Sequence, residues 1–164
     1  MRIELIDAAT KEPVDTLEVD AVLVATGRVP TSADLNLASV GVECERGFVP
    51  VDDGLRVLAA GAPVPHLWAV GDVTGKMMLA HTAAAQGVVA VENICGADRS
   101  VDYRSIPAAT FTHPEISSVG LSEADAKTMA ADEGFELGSV RSYFKANSKA
   151  LAELDSDGLM KLLF

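Results

Sequence analysis

The sequence predicts an α/β fold, and three observations carry that expectation. Two continuous apolar runs, Ala21–Ala25 and His66–Val70, are closed by glycines, as strands buried on both faces are. The second run is followed within a few residues by a segment of helical periodicity lined with small residues. After Ser105 the pattern changes to short strands around a second helix, as in an α+β unit.

Taken in order, Ile3 and Leu5 and then Thr16–Val19 alternate with a period of two around the turn-like stretch Thr10–Pro13, which predicts a hairpin. Ala21–Ala25 is the first buried strand, ended by Gly27, and Val29–Asn36 is loop because Pro30 breaks regular structure. Arg46-Gly47 and Asp53-Gly54 are turn signals around Phe48–Val51, where short strands are expected. A loop over Ala59–Pro65 leads into the second buried strand, His66–Val70. Leu79–Cys95 then reads as a helix. Ala80, Ala83, Ala84, Gly87, Val88, Val91 and Ile94 recur every three or four residues as one apolar face, with Gly87 allowing close packing on a sheet.

Gly96–Ser105 is polar and reads as a boundary. Ala108–Thr112 and Ile116–Gly120 are expected strands on either side of His113-Pro114. Ser122 caps a helix to about Asp132, with Asp125 completing a short capping box. Val140–Phe144 and Gly158–Phe164 are expected strands, the latter an apolar edge with no polar tail, which reads as a fragment.

Hydrophobic residues make up 49% and charged residues 23% of the 164, enough for a packed core. The formal net charge of −11, with no basic stripe, argues against nucleic acid and anionic membrane as partners. No apolar run reaches the roughly eighteen residues of a membrane helix, and the first fifteen residues have neither a signal- nor a transit-peptide pattern. Cys44 and Cys95 fit no CxxC or zinc spacing, so no metal site is expected and each reads as a buried or partly buried thiol.

Two stretches bear on chemistry. In Ala25-Thr26-Gly27-Arg28-Val29-Pro30 a glycine after a strand lets backbone approach a ligand, or simply ends the strand. In GDVTGKMMLAH, Asp72 stands at the carboxyl end of a strand, where α/β folds place ligands, and a helix begins near Met78–His81. An ionised carboxylate suits a polyol, and a helix start suits an electron-rich group. Asp72 capping a turn is the rival reading. A phosphate loop is excluded: GDVTGK is one residue short between glycines, and Met77 stands where Ser or Thr should ligate magnesium. His66 reads as a surface residue, His113 as part of a turn, and His81 as a neutral ring that packs or hydrogen-bonds at a helix start. No catalytic constellation assembles.

ATGRVP followed at this spacing by AVGDVTGKMMLAH resembles the flavoprotein disulfide reductases, the class I pyridine nucleotide-disulfide oxidoreductases. IPAATFTHPEISSVGLSEADAK resembles the start of their dimerisation domain, and FKANSKALAELDSDGLMKLLF continues it. The resemblance implies pieces of two Rossmann-like nucleotide-binding domains followed by the start of an α+β dimerisation domain. It divides the chain into the end of an NAD-binding domain at 1–30, the second segment of an FAD-binding domain at 31–104 and part of an interface domain at 105–164. By position it gives Asp72 to the ribityl hydroxyls of FAD, the backbone of Met78, Leu79, Ala80 and His81 to the flavin's pyrimidine edge, and Gly27 to NAD.

Within the family, IELIDAATKEPVDTLEVDA and FKANSKALAE are similar to the plastid and cyanobacterial branch that oxidises protein-bound dihydrolipoamide for 2-oxo acid dehydrogenase complexes. This implies a homodimer that meets the lipoyl domain of the E2 acyltransferase in the plastid stroma or a bacterial cytoplasm. Ala80-His81 separates the chain from glutathione reductases, which usually carry Thr-Pro there. Neither cysteine falls at the position of the family's redox pair. That pair, the glycine-rich fingerprints and the C-terminal His-Glu pair have no counterpart here, so the chain alone is expected to be inactive. Another disulfide reductase, of glutathione or mercuric type, and a non-catalytic binding or assembly module are the competing readings.

Overall fold

A computed structural model describes all residues, 1–164. Its strands pair only with their neighbours in sequence, giving four two-stranded antiparallel hairpins joined by helices and turns. The predicted first hairpin is present: β1 (Arg2–Ile6) pairs with β2 (Pro13–Glu18), Ile3 opposite Leu17 and Leu5 opposite Asp15. Asp7 shapes its loop, its Oδ1 accepting from the N–H groups of Ala9 (2.8 Å) and Thr10 (2.7 Å). These bonds, that of Thr10 foremost, hold the Asp7 carboxyl below its ordinary range.

Ala21–Ala25 departs from expectation. It forms no strand, and Leu23 is 90% exposed. A strand buried on both faces needs a ladder on each edge and helices above and below. No other strand of these residues reaches it. Apolar side chains alone do not make a strand.

The core lies between residues 37 and 101. Val42, Val49, Val51, Leu55, Val57 and Ala90 are buried together, with Leu37, Cys44, Trp68 and Val73 packed around them. β3 (Arg56–Ala59) turns through Ala60-Gly61, both at positive φ, into β4 (Ala62–Trp68). The loop predicted over Ala59–Pro65 is therefore a hairpin. Prolines 63 and 65 are tolerated because a two-stranded sheet leaves β4 an open edge where no N–H is needed. The expected strand at His66–Val70 is the end of β4, half-buried rather than buried on both faces. Phe48–Val51 makes only the isolated bridges Glu45–Phe48 and Val51–Val57.

Helix α1 (Ala80–Ile94) matches the predicted span, but its buried face differs. Thr82, Gln86 and Ala90 point into the core, whereas Val88, Val91 and Ile94 are each more than half exposed. A side chain built at Gly87 would meet nothing within 4 Å, so no close packing explains that glycine here. Hydrogen bonds choose the face. Asn93 donates to the carbonyls of Gly54 (3.0 Å) and Arg99 (2.9 Å) and accepts from Arg99 N–H (2.8 Å), tying the helix to the turn before β3. Cys44 is half-buried as expected; Cys95, following the helix, is exposed because the end of α1 is uncovered.

Beyond the boundary, β5 (Ala108–Thr110) pairs with β6 (Ile116–Ser118) around the predicted turn, whose His113-Pro114 peptide is cis. α2 (Glu123–Glu133) starts as predicted: Ser122 Oγ accepts from Asp125 N–H (3.2 Å) and donates to the Asp125 carboxylate (2.6 Å). Gly134 ends it in the left-handed region. β7 (Ser139–Tyr143) pairs in register with β8 (Leu159–Leu163). Between them lies α3 (Ser148–Ala152), capped by Asn147 and too short to show periodicity in the sequence. Ala126 and Ala130 of α2 are buried, and Lys161 of β8 pairs with Glu123.

Candidate functional site

β4 delivers the chain to Ala69, whose N–H bonds Leu55 O (3.1 Å), and then to Gly71. Gly71 sits at φ 81, ψ −160, a region essentially reserved for glycine. Its Cβ position lies 3.5 Å from Ala83 Cβ, so the turn abuts the start of α1. Residues Asp72–Thr74 form one 3₁₀ turn. Val49 N–H bonds Val73 O (2.9 Å), and the Thr74 hydroxyl bonds Gly71 O (2.8 Å), fixing the turn on both sides.

The capping reading of Asp72 fails on geometry. The cap position belongs to Gly71, and no side-chain bond closes the turn. The Asp72 carboxylate is exposed and enters none of the ion pairs. A fixed carboxylate without an internal partner is available to hydroxyl donors.

The start of α1 is equally open. Leu79, at φ −133 and ψ 143, precedes the helix without a side-chain cap, and no acidic residue stands in the first turn. The first bond back is Ala83 N–H to Leu79 O (3.0 Å), so the N–H groups of Ala80, His81 and Thr82 find no partner in the helix. Thr82 is 1% exposed, yet its hydroxyl has no partner either. Uncompensated donors at the positive end of a helix dipole suit an electron-rich group.

His81 itself is engaged elsewhere. Its Nε2 lies 2.6 Å from Pro107 O. A carbonyl only accepts, so Nε2 carries the proton and the ring is a tether, as expected of a ring that hydrogen-bonds. His66, within β4, and His113, in the β5–β6 turn, are exposed and take no part in this tether.

The two motifs converge. Arg28 and Pro30, directly after Gly27, line a recess of about 190 Å³ with Phe48, Asp72 and Met78. Gly27 stands one residue outside that lining, at φ 108, with no atom within 4 Å of the place a side chain would take. Two further residues, Gln86 and Tyr103, bond each other behind the turn. Their signal in the sequence is a lone glutamine within the apolar stretch Ala83–Val91.

An exposed carboxylate and the unpaired amide groups of a helix start fit a ligand with a hydroxylated chain and an adjacent electron-rich head. Ligands of this kind are nucleotide cofactors, and the comparisons agree on the class. The family model described as pyridine nucleotide-disulphide oxidoreductase matches residues 3–87, and its dimerisation domain matches residues 106–164. The chain belongs to the pyridine nucleotide-disulphide oxidoreductase family.

Among its relatives, a dihydrolipoyl dehydrogenase of Synechocystis is 62% identical over all of this chain and 35% of its own length. The chloroplastic dihydrolipoyl dehydrogenase 2 of Arabidopsis thaliana is 54% identical over 99% of this chain and 29% of its own length. The chain thus spans about a third of the length of the curated relatives it matches. The crystal structure of LpdA from Mycobacterium tuberculosis superposes with a TM-score of 0.73 at 29% identity, covering 91% of this chain and 31% of that one. These likenesses establish the α/β class, with partial nucleotide-binding domains and a partial dimerisation domain.

Proposed function

We propose that the chain is part of an FAD-dependent dihydrolipoyl dehydrogenase, an enzyme that oxidises protein-bound dihydrolipoamide with NAD⁺ as final acceptor. The observation that carries the site reading is an unpartnered Asp72 fixed beside the uncapped start of a 15-residue helix. Similarity to the Synechocystis and Arabidopsis enzymes then selects the reaction.

Asp72 accepts hydrogen bonds from the ribityl hydroxyls, and the backbone of Met78, Leu79, Ala80 and His81 faces the pyrimidine edge of the flavin. Gly27 leaves the approach to NAD clear. Bound FAD supplies a two-electron carrier between dithiol and nicotinamide. The chain's own part is electrostatic: a helix start with open N–H groups stabilises negative charge at the head group, and Asp72 fixes its orientation. His81, already donating to Pro107, contributes its main chain and moves no proton.

Residues 1–30 close an NAD-binding domain, 31–104 continue an FAD-binding domain, and 105–164 open the interface domain of a homodimer. The match of the dimerisation model from residue 106 supports the last boundary. The partner substrate is the lipoyl domain of an E2 acyltransferase, and the compartment is the plastid stroma or a bacterial cytoplasm, as the two relatives' sources favour.

The test is an assay on the longer protein carrying this segment. NAD⁺-dependent oxidation of dihydrolipoamide, with no turnover of glutathione disulfide or mercuric ion by NADPH, is the expected result. The reverse pattern overturns the proposal in favour of a sister reductase.

A further inference from the structure

We infer that Gln86 is a positioning residue of the flavin site, holding the Gly71–Asp72 turn against α1 through an amide whose other end bonds Tyr103. The inference rests on the reading of Asp72 as a cofactor ligand.

Gln86 is 0% exposed, the most thoroughly buried polar side chain in the molecule. Burying an amide is unfavourable unless its groups are paired, and both ends of this one are. Its Oε1 accepts from Gly71 N–H at 2.6 Å, and its Nε2 donates to the Tyr103 hydroxyl at 2.9 Å. Gly71 is the residue in the glycine-only conformation, directly before Asp72. A backbone held in such a region persists only when surrounding bonds over-determine it. Gln86 supplies the bond on its N–H, while Thr74 bonds its carbonyl with both hydroxyl and N–H.

Gly71 sets which way the amide faces. Its N–H only donates, so Oε1 must face it and Nε2 is left for the phenolic oxygen; a flipped amide would put two N–H donors face to face. Tyr103 in turn stands in a short turn, Tyr103–Ser105, next to the boundary with the interface domain, and the Lys76 ammonium lies 5.9 Å from its ring centre. The His81–Pro107 bond crosses the same boundary. Only the His81 bond thus reaches the interface segment; the Gln86–Tyr103 bond stops just before it, and it is the one that leads to the turn carrying Asp72.

The experiment strips FAD from the longer protein carrying this segment and titrates it back, reading flavin fluorescence and the absorbance spectrum of the bound cofactor. Gln86→Met keeps the length of the side chain and loses both bonds; its dissociation constant should rise roughly tenfold or more. Gln86→Glu can still accept from Gly71 N–H, with Tyr103 turning its hydroxyl to donate, and should stay within a few-fold of wild type. The Asp72→Ala, Gln86→Met double variant should bind no more weakly than Asp72→Ala alone, because Gln86 acts through Asp72.

Wild-type affinity in Gln86→Met, or losses that multiply in the double variant, overturns the inference. Unchanged affinity in Asp72→Ala overturns the reading of the site and takes the inference with it, which tells the two failures apart. Should Gln86→Met not fold, Tyr103→Phe decides the matter. It leaves the Gly71 bond but strands the buried Nε2 without an acceptor, loosening the amide's hold, so a several-fold weaker Kd is expected and an unchanged one contradicts the inference.

Discussion

At the scale of single residues, Glu123 and Gly75 carry predictions independent of any cofactor. Glu123 is held by hydrogen bonds to Lys161 and then Lys127, which pull its carboxyl from 4.5 down to about 2. A carboxyl depressed by folding stabilises the folded chain above its unfolded value and loses that contribution as pH falls through its folded one. The tie between α2 and β8 should therefore weaken from about pH 4.5 to about pH 2. Glu123 is 46% exposed, so added salt should shrink the effect. Melting curves of wild type and Glu123→Gln across that window should converge at the acid end; a constant gap contradicts the assignment. Gly75, at φ 69, is the second case. A Cβ there would sit 2.9 Å from the Phe48 ring, so Gly75→Ala should cost about 2 kcal/mol or more in a denaturant titration.

At the scale of elements, local signals were legible and long-range ones were not. Ser122→Ala should destabilise α2 by about 1 kcal/mol, read as lost helicity by circular dichroism, because the cap is a bond between neighbours in sequence. That helix, the β1–β2 hairpin, the β5–β6 pair and the strands β7 and β8, though not their pairing across α3, follow from capping, alternation and turn residues alone. The β3–β4 hairpin did not, since Pro63 and Pro65 discourage a strand everywhere except at an open edge. The buried face of α1 was misjudged for a related reason. Periodicity finds an apolar stripe, but the stripe that is buried here carries Thr82 and Gln86, chosen by hydrogen bonds to groups distant in sequence. Asp72 reads in the sequence as a turn cap or as a ligand group; the turn places its cap at Gly71, and the FAD titration below tests the ligand reading. Val57→Ala tests where the core lies: Val57 is 1% exposed, and the truncation should cost about 2 kcal/mol in the same titration.

At the scale of the whole molecule, the distribution of burial is uneven. The core gathers between residues 37 and 101, while Leu23, Val24 and Val29 of the first segment and Val88, Val91 and Ile94 of α1 stay exposed. Exposed apolar stripes of this kind are surfaces that other parts of a protein cover. The flavin reading gives this chain one wall of a site. The isolated chain should accordingly purify without stoichiometric flavin, a result absorbance at the flavin bands reads directly. In hydrogen exchange, amides of residues 49–57 should be the slowest and those of residues 21–31 among the fastest. The central claim is that Asp72, free of internal partners beside an open helix start, holds a hydroxylated cofactor. Its most direct test is an FAD titration of apoprotein made from the longer protein, comparing wild type with Asp72→Ala. The variant's Kd should rise roughly tenfold or more, the loss of a charge-assisted hydrogen bond; equal dissociation constants would contradict this role of Asp72.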